Sequence, residues 1–346
     1  MSKKIYKELV EIRIAMDVRK LQLIGGSSYM VSLPKEWIRI HKLNQGDEVI
    51  LHIDENYIRL FPKKYSESER IARAIVEKIP RHDEKFITRF VYALYIQGLD
   101  EIIIKDKFLS PKFVSKLSEV VRSLIGMEVI DVSDTQIVLK CLATSDFDVS
   151  GVLKRMAQII SGMIESIEED LRLESFYEID EISKLEEDSD RLYLLAVRQE
   201  HRLVKELSSP SKWNELRFIL GIRMVAKLLE EIADSLRDLA IYSTKISQKK
   251  LKNMLVSLLS EINSIFNNVF KAYSSSDVEL SDDVMKKVEN IEQSILKVIG
   301  EGDDIYYRLA LEAMMNVCRH VKSIGEVAFN RSVRESLKCY SIDINE

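Results

Sequence analysis

The stretch FILGIRMVAKLLEEIADSLRDL, residues 218–239, decides the fold class of this chain. Its apolar residues Phe218, Ile222, Val225, Leu229, Ile232, Leu236 and Leu239 recur at alternating steps of four and three. That spacing puts them on one stripe of a helix in a bundle seam. Val284, Val288, Ile291, Ile295 and Val298 repeat the pattern. Working outward, break signals fall at Ser175, Ser208-Ser209-Pro210, Ser247, Ser274-Ser275-Ser276 and Gly300-Glu301-Gly302. They divide the C-terminal segment into six helices, with three on each side of about residue 246. This symmetry predicts an internal duplication, two three-helix bundles spanning 146–246 and 247–346.

Composition agrees with long helices. The 346 residues include only 5 Pro, none after Pro210, and 46% are hydrophobic. Proline breaks helix interiors, and this apolar content is too high for disorder. Three widely separated cysteines, Cys141, Cys318 and Cys339, match no zinc spacing or disulfide framework, so a reduced, cytoplasmic chain is expected. No apolar run approaches a membrane span and no signal-type segment is present, so no membrane insertion is expected. Walker A, G-x-S-x-G, H-E-x-x-H and C-x-x-C are all absent, which argues against an enzyme.

Two segments precede the helices. Residues 66–145 read as a small α+β module, with helices over Asp83–Gln97 and from Ser110-Pro111 to Gly126, and strands at Glu101–Lys105, Met127–Val132 and Thr135–Leu142. Residues 1–65 read as four short strands and one short helix. The strands are Val18–Ile24, Tyr29–Leu33, Glu48–Ile53 and Tyr57–Phe61, and Pro34 opens the helix. Asp54-Glu55-Asn56 signals a hairpin turn between the last two. So short a segment makes a small core, and interleaving of two copies is the expected remedy. The fold class is multi-domain α+β: a dimeric swapped-hairpin head, a small α+β module and all-α tandem bundles.

Charge is divided along the chain. Residues 1–65 carry 12 Lys/Arg against 8 Asp/Glu, whereas 164–190 carry 12 acidic residues against Arg172 and Lys184. Within the acidic body, Glu186 and Asp190 are four apart, as are Glu230 and Asp234. Spacing of i, i+4 stacks like charges on one helix face, at a cost of roughly 0.2–0.5 kcal/mol in an isolated helix. On adjacent antiparallel helices both pairs can flank the apolar seam and share a divalent cation with oxygen ligands. The alternative is a solvated acidic face. The second bundle offers only Glu289 with Gln293 and Asn316 with His320, a weaker set. The basic residues of the head, among them Arg19, Lys20, Lys35 and Arg39, can neutralise phosphates, and dimerisation would double their number.

Two resemblances follow from these residues. Val18-Arg19-Lys20 with Gly25, then Leu33-Pro34-Lys35-Glu36, Lys42-Leu43, Gly46-Asp47, Val49 and Ile58-Arg59-Leu60 resemble AbrB/MazE/SpoVT swapped-hairpin domains. The resemblance implies an intertwined homodimer that contacts DNA through Arg19 and Arg39, flanked by Lys20 and Lys35. Gly26 and Ile38 stand where those domains often carry Arg, which keeps open a head that only dimerises. The helical segment is similar to PhoU. Residues 185–192 and 229–234 look like its E-x-x-x-D motifs, which hold metal clusters. This implies a divalent or trivalent ion (Zn, Fe, Mn or Mg) on Glu186, Asp190, Glu230 and Asp234. The order of modules resembles archaeal PhoU-like phosphate uptake regulators. It implies a regulator of phosphate uptake with DNA, itself and a phosphate ABC transporter or signalling protein as partners. The alternative is a transporter accessory protein that does not bind DNA.

Overall fold

The computed structural model describes residues 18–53, 58–63, 72–107, 109–142, 148–174, 179–206, 213–300 and 303–336. The expected turn at Asp54–Asn56, the breaks at Ser175, Ser208–Pro210 and Glu301–Gly302, and Cys339 lie outside the described residues. The chain divides into two compact units, 1–71 and 72–346.

In the first unit, strands β1 (Gln22–Ile24) and β2 (Ser28–Met30) pair antiparallel, with Ile24 opposite Ser28. Gly25 and Gly26 make the turn at φ 63° and 78°, a left-handed backbone that favours glycine. Helix α1 spans Lys35–Ile40, and Pro34 stands just before its first turn, its carbonyl accepting from Ile38 N at 3.2 Å. β3 (Val49–Ile53) and β4 (Ile58–Pro62) form a second antiparallel hairpin. The first strand is shorter than its apolar composition suggests, since only three residues find ladder partners. The two hairpins form separate two-stranded sheets. They leave large apolar side chains uncovered: Val18 is 86% exposed, Tyr29 73% and Ile53 76%. An isolated two-stranded hairpin is marginal in water.

The second unit opens with β5 (Arg73–Val76), α2 (Glu84–Tyr95), β6 (Glu101–Lys105), α3 (Pro111–Arg122), β7 (Met127–Val132) and β8 (Gln136–Cys141). The sheet order is β5-β6-β8-β7, with β5 and β6 parallel and the other pairs antiparallel. Asp83 and Ser110 cap α2 and α3 by accepting from Phe86 N and Phe113 N. Ile87, Val91, Ile102, Ile104, Leu117, Ile137 and Leu139 fill a core between helices and sheet. β5 was not anticipated: four residues are too few for alternation to stand out, and pairing with β6 is what makes them a strand.

Six helices follow among the described residues: α4 (Val149–Leu173), α5 (Ile179–Glu206), α6 (Trp213–Ser243), α7 (Lys249–Ser275), α8 (Val278–Val298) and α9 (Ile305–Ser336). On the 218–239 stripe, Ile222, Val225, Leu229, Ile232, Leu236 and Leu239 are all buried, and only Phe218 stays partly exposed. Ala226, Ala233 and Ala240 form a second buried stripe on α6. Small residues let helices approach closely, and α6 packs on α9 as well as on α4 and α5. The two triplets therefore share one continuous core running from α4 to α9.

The module is clamped to the bundle through α5. Arg198, 1% exposed, donates to the carbonyls of Tyr95 (2.9 Å) and Leu99 (2.8 Å) and lies over the Tyr95 ring. Arg202 pairs with Asp100 at 2.9 Å, and Arg191 donates to Ser123 O at 3.0 Å. Gly98, at φ 72°, lets the α2 end approach: a Cβ there would lie 2.9 Å from Arg202 Cγ. Removing a buried hydrogen-bonded cation leaves its partners unpaired. Arg198→Met is expected to cost on the order of 3 kcal/mol and to free the module, read by denaturant unfolding and amide exchange on α2. Unchanged exchange in α2 would contradict the clamp.

Candidate functional site

Packing of α5 on α6 brings the acidic pairs together. Buried Ile182 and Leu195 on α5 and Leu229, Ile232 and Leu236 on α6 hold the helices in the common core. Oxygens of Glu186, Asp190 and Asp234 all lie within 4.8 Å of one another. Glu230 joins a second such group with Glu231 and Asp234, so Asp234 belongs to both. The sequence suggested a patch beside the seam. Glu186 is instead only 7% exposed, because its position on α5 turns it toward α6. Glu187 and Asp188 stay exposed, with Asp188 3.1 Å from Arg191.

Two cations sit among these carboxylates. Arg237 pairs with Glu186 and lies 3.6 Å from Asp234 and 3.3 Å from Asp238. Lys227 pairs with Glu230 and, at 2.7 Å, with Glu231. Neutralisation is incomplete, since Asp190 Oδ1 is buried without a hydrogen-bond partner. Burial pushes Glu186 up to about 7; a hydrogen bond with Asp234 and the charges of Asp190 and Asp234 add to this, while Arg237 opposes it. Asp190 is pushed up to about 6 by burial, then by Glu230 and Asp234. Burial also raises Glu230, against the pull of Lys227. His320 of α9 lies within electrostatic reach of Glu231 and Lys227, and burial lowers its pKa.

This donor set fits a hard cation. It is made of carboxylate oxygens, one of them an orphan, at a spacing suited to shared coordination, with like charges that a cation would relieve. The counterpart stretch in the second triplet differs: Glu289 pairs with Lys322 at 2.8 Å, and Asn316 accepts from Arg319 at 3.2 Å. Sequence reasoning passed over Glu231, Lys227 and Arg237 as parts of the site. Their signal was present in helical spacing, since Lys227 precedes Glu230 and Glu231 by one turn and Arg237 follows Asp234 by one.

In the head, Arg19, Lys20, Lys35 and Arg39 are all exposed, and Arg39 lies 3.5 Å from Glu36. No large apolar side chain of this unit is fully buried among the described residues. No helix among the described residues is long and apolar enough to cross a membrane.

The raised carboxyl pKa values have a definite consequence for stability. A group that holds its proton more tightly folded than unfolded contributes most below its unfolded pKa, and loses that contribution as pH rises through the folded value. With Glu186 near 7 and Asp190 near 6, the metal-free chain is expected to lose thermal stability as pH rises from about 5 to about 8. Asp190→Asn should flatten this slope and raise Tm at the alkaline end, as measured by thermal unfolding in chelator. A Tm that climbs across the window would contradict it.

Comparison with known proteins follows the same division. Residues 22–68 match the family model of MazE, the bacterial antitoxin of antidote-toxin recognition, beginning just after Arg19 and Lys20. Residues 153–242 match the PhoU domain, a span that includes both carboxylate pairs and stops before the second triplet. None of the curated proteins matches the chain. Among solved structures, PhoU from Pseudomonas aeruginosa aligns at 15% identity with a TM-score of 0.47, over 56% of this chain and 98% of that one. The chain thus carries a segment similar to MazE antitoxins ahead of a segment similar to PhoU domains.

Proposed function

We propose that the chain is a regulator of phosphate homeostasis in the cytoplasm. Its head dimerises and binds DNA, and its acidic helix pair holds a divalent or trivalent metal ion. The observation that carries the reading is the pairing of a PhoU-like helical segment, with its under-neutralised Glu186–Asp190–Asp234 cluster, with a MazE-like head. Glu186, Asp190 and Asp234 hold the ion, with Glu230 and Glu231 beside them. The bound ion supplies positive charge that relieves their repulsion, and Arg237 and Lys227 neutralise what remains. No catalysis is part of this reading.

Dimerisation of the head rests on its uncovered apolar residues, including Leu21, Leu23, Tyr29, Leu51 and Ile58. Interleaving two copies would bury them, at roughly 25 cal/mol per Å² of apolar surface removed from water. Arg19, Lys20, Lys35 and Arg39 then contribute phosphate contacts from both copies. A second reading, favoured by the Arg39–Glu36 pair and by Gly26 and Ile38, keeps the head as a dimer clamp only. The bundles then dock on a phosphate ABC transporter or a signalling protein without DNA.

Two measurements test these roles. DNA affinity of the full chain is expected to fall steeply with salt, and Arg19→Ala/Arg39→Ala should weaken it and flatten log Kd against log salt by roughly 0.9 per lost phosphate contact. No binding at low salt would move the head to the clamp reading. Manganese or zinc titration should raise the wild-type Tm, and Asp190→Asn/Asp234→Asn should abolish that rise. A metal response unchanged in the double variant would exclude this site.

A further inference from the structure

A second site lies at the N-terminal end of α6, about four turns before the carboxylates, and its charge is reversed. Two adjoining cavities of about 290 and 140 Å³ open between α4, α6, α7 and α9, sharing Phe218, Tyr273 and Arg331 in their walls. Lys154 lines the larger, and Arg217 and Arg334 line the smaller. Four cations therefore converge there. The carboxylates facing them are Asp148, which is occupied in capping α4 through Ser150 N, and Glu335, which pairs with Arg331 at 2.8 Å. Among the described residues, Arg217, Arg334 and Lys154 have no ion-pair partner within 4.0 Å. The N-terminal end of α4, at Ser150 and Gly151, adds its partial positive charge to the larger cavity.

The walls are built rather than incidental. The Arg331 guanidinium lies 4.9 Å from the Phe218 ring centre and 5.2 Å from that of Tyr273, and donates to Tyr273 O at 3.2 Å. Two rings and two acceptors thus hold the planar fork in place, which is the preparation that phosphate recognition by arginine uses. Tyr273 is 5% exposed, and its hydroxyl makes no hydrogen bond of normal geometry, with Arg331 as its main charged neighbour. Arg331 can only donate to that hydroxyl, so its own proton lacks an acceptor and calls for one from outside. Phe270 and Leu153 supply an apolar side to the larger cavity. The combination of a cationic wall, an aromatic surface and this volume suits a small organic molecule rather than a bare anion.

We infer that this cavity binds a phosphorylated small molecule of nucleotide size. Its phosphoryl group is met by Arg217, Arg331 and Arg334, and its organic part rests on Phe218, Phe270 and Tyr273. The site is independent of the metal and DNA roles proposed above.

The test uses the full chain, titrated calorimetrically with a panel of ribonucleoside mono- and triphosphates, the matching nucleosides and inorganic phosphate. At least one nucleotide is expected to bind more tightly than its nucleoside and than phosphate. Arg217→Ala/Arg334→Ala, whose side chains hold no ion pair among the described residues, should weaken it at least tenfold with Tm preserved. Tyr273→Phe keeps the ring and should weaken binding several-fold, whereas Asp190→Asn should leave it unchanged. Absence of nucleotide binding, phosphate binding as tightly as any nucleotide, or indifference to Arg217→Ala/Arg334→Ala would each overturn the assignment.

Discussion

The buried guanidinium of Arg198 is the contact on which the arrangement of the larger unit depends. A cation in a protein interior is stable only when its donors are satisfied, and here the acceptors are the carbonyls at the end of α2. Tyr95 O ends α2 and also accepts from Gly98 N at 3.2 Å, while Leu99 O belongs to the loop that follows, so one side chain ties the helix end and its loop together. Arg191 and Arg202, one turn or two from it on α5, extend the clamp. Glu186 and Asp190 lie on the same helix, with Asp190 eight residues before Arg198, about 12 Å along the axis. The acidic cluster and the clamp on the α+β module thus share one helix.

α6 organises the rest. Its first turns present Arg217 and Phe218 to the aromatic cavity, its middle presents Glu230, Glu231 and Asp234 to α5, and its two buried stripes join the helical triplets. Acidic and basic clusters thus sit at separate levels of one helix. The separation from Arg217 to Asp234 is seventeen residues, about 25 Å, beyond the reach of unscreened interaction at physiological salt. The head obeys a different constraint: its two short hairpins leave Val18, Tyr29 and Ile53 exposed among the described residues.

Repeating apolar positions made the helices legible, because a stripe at 3.6-residue spacing has one stable use in water. Cap residues were legible for the same local reason, as Asp83 and Ser110 show. The paired carboxylates were legible as well, since i, i+4 spacing is a property of a single helix. By contrast, β5 was invisible, because four residues become a strand only when β6 offers its edge. Nothing in the sequence around Arg198 marks it as buried, since a cation at that position of an amphipathic helix ordinarily faces water.

What the sequence determined by itself was therefore the local: helix positions, turn glycines at Gly25 and Gly26, the charge contrast between head and body, and which carboxylates share a helix face. Tertiary structure alone decided which faces meet. It buried Glu186, left Asp190 Oδ1 without a partner, set Arg237 and Lys227 among the acids, and gathered Arg217, Arg331 and Arg334 around one cavity. The reason is physical. Periodicity is fixed by the backbone within a few residues, whereas the pKa of a carboxyl and the partner of an arginine depend on desolvation and charges brought from far along the chain.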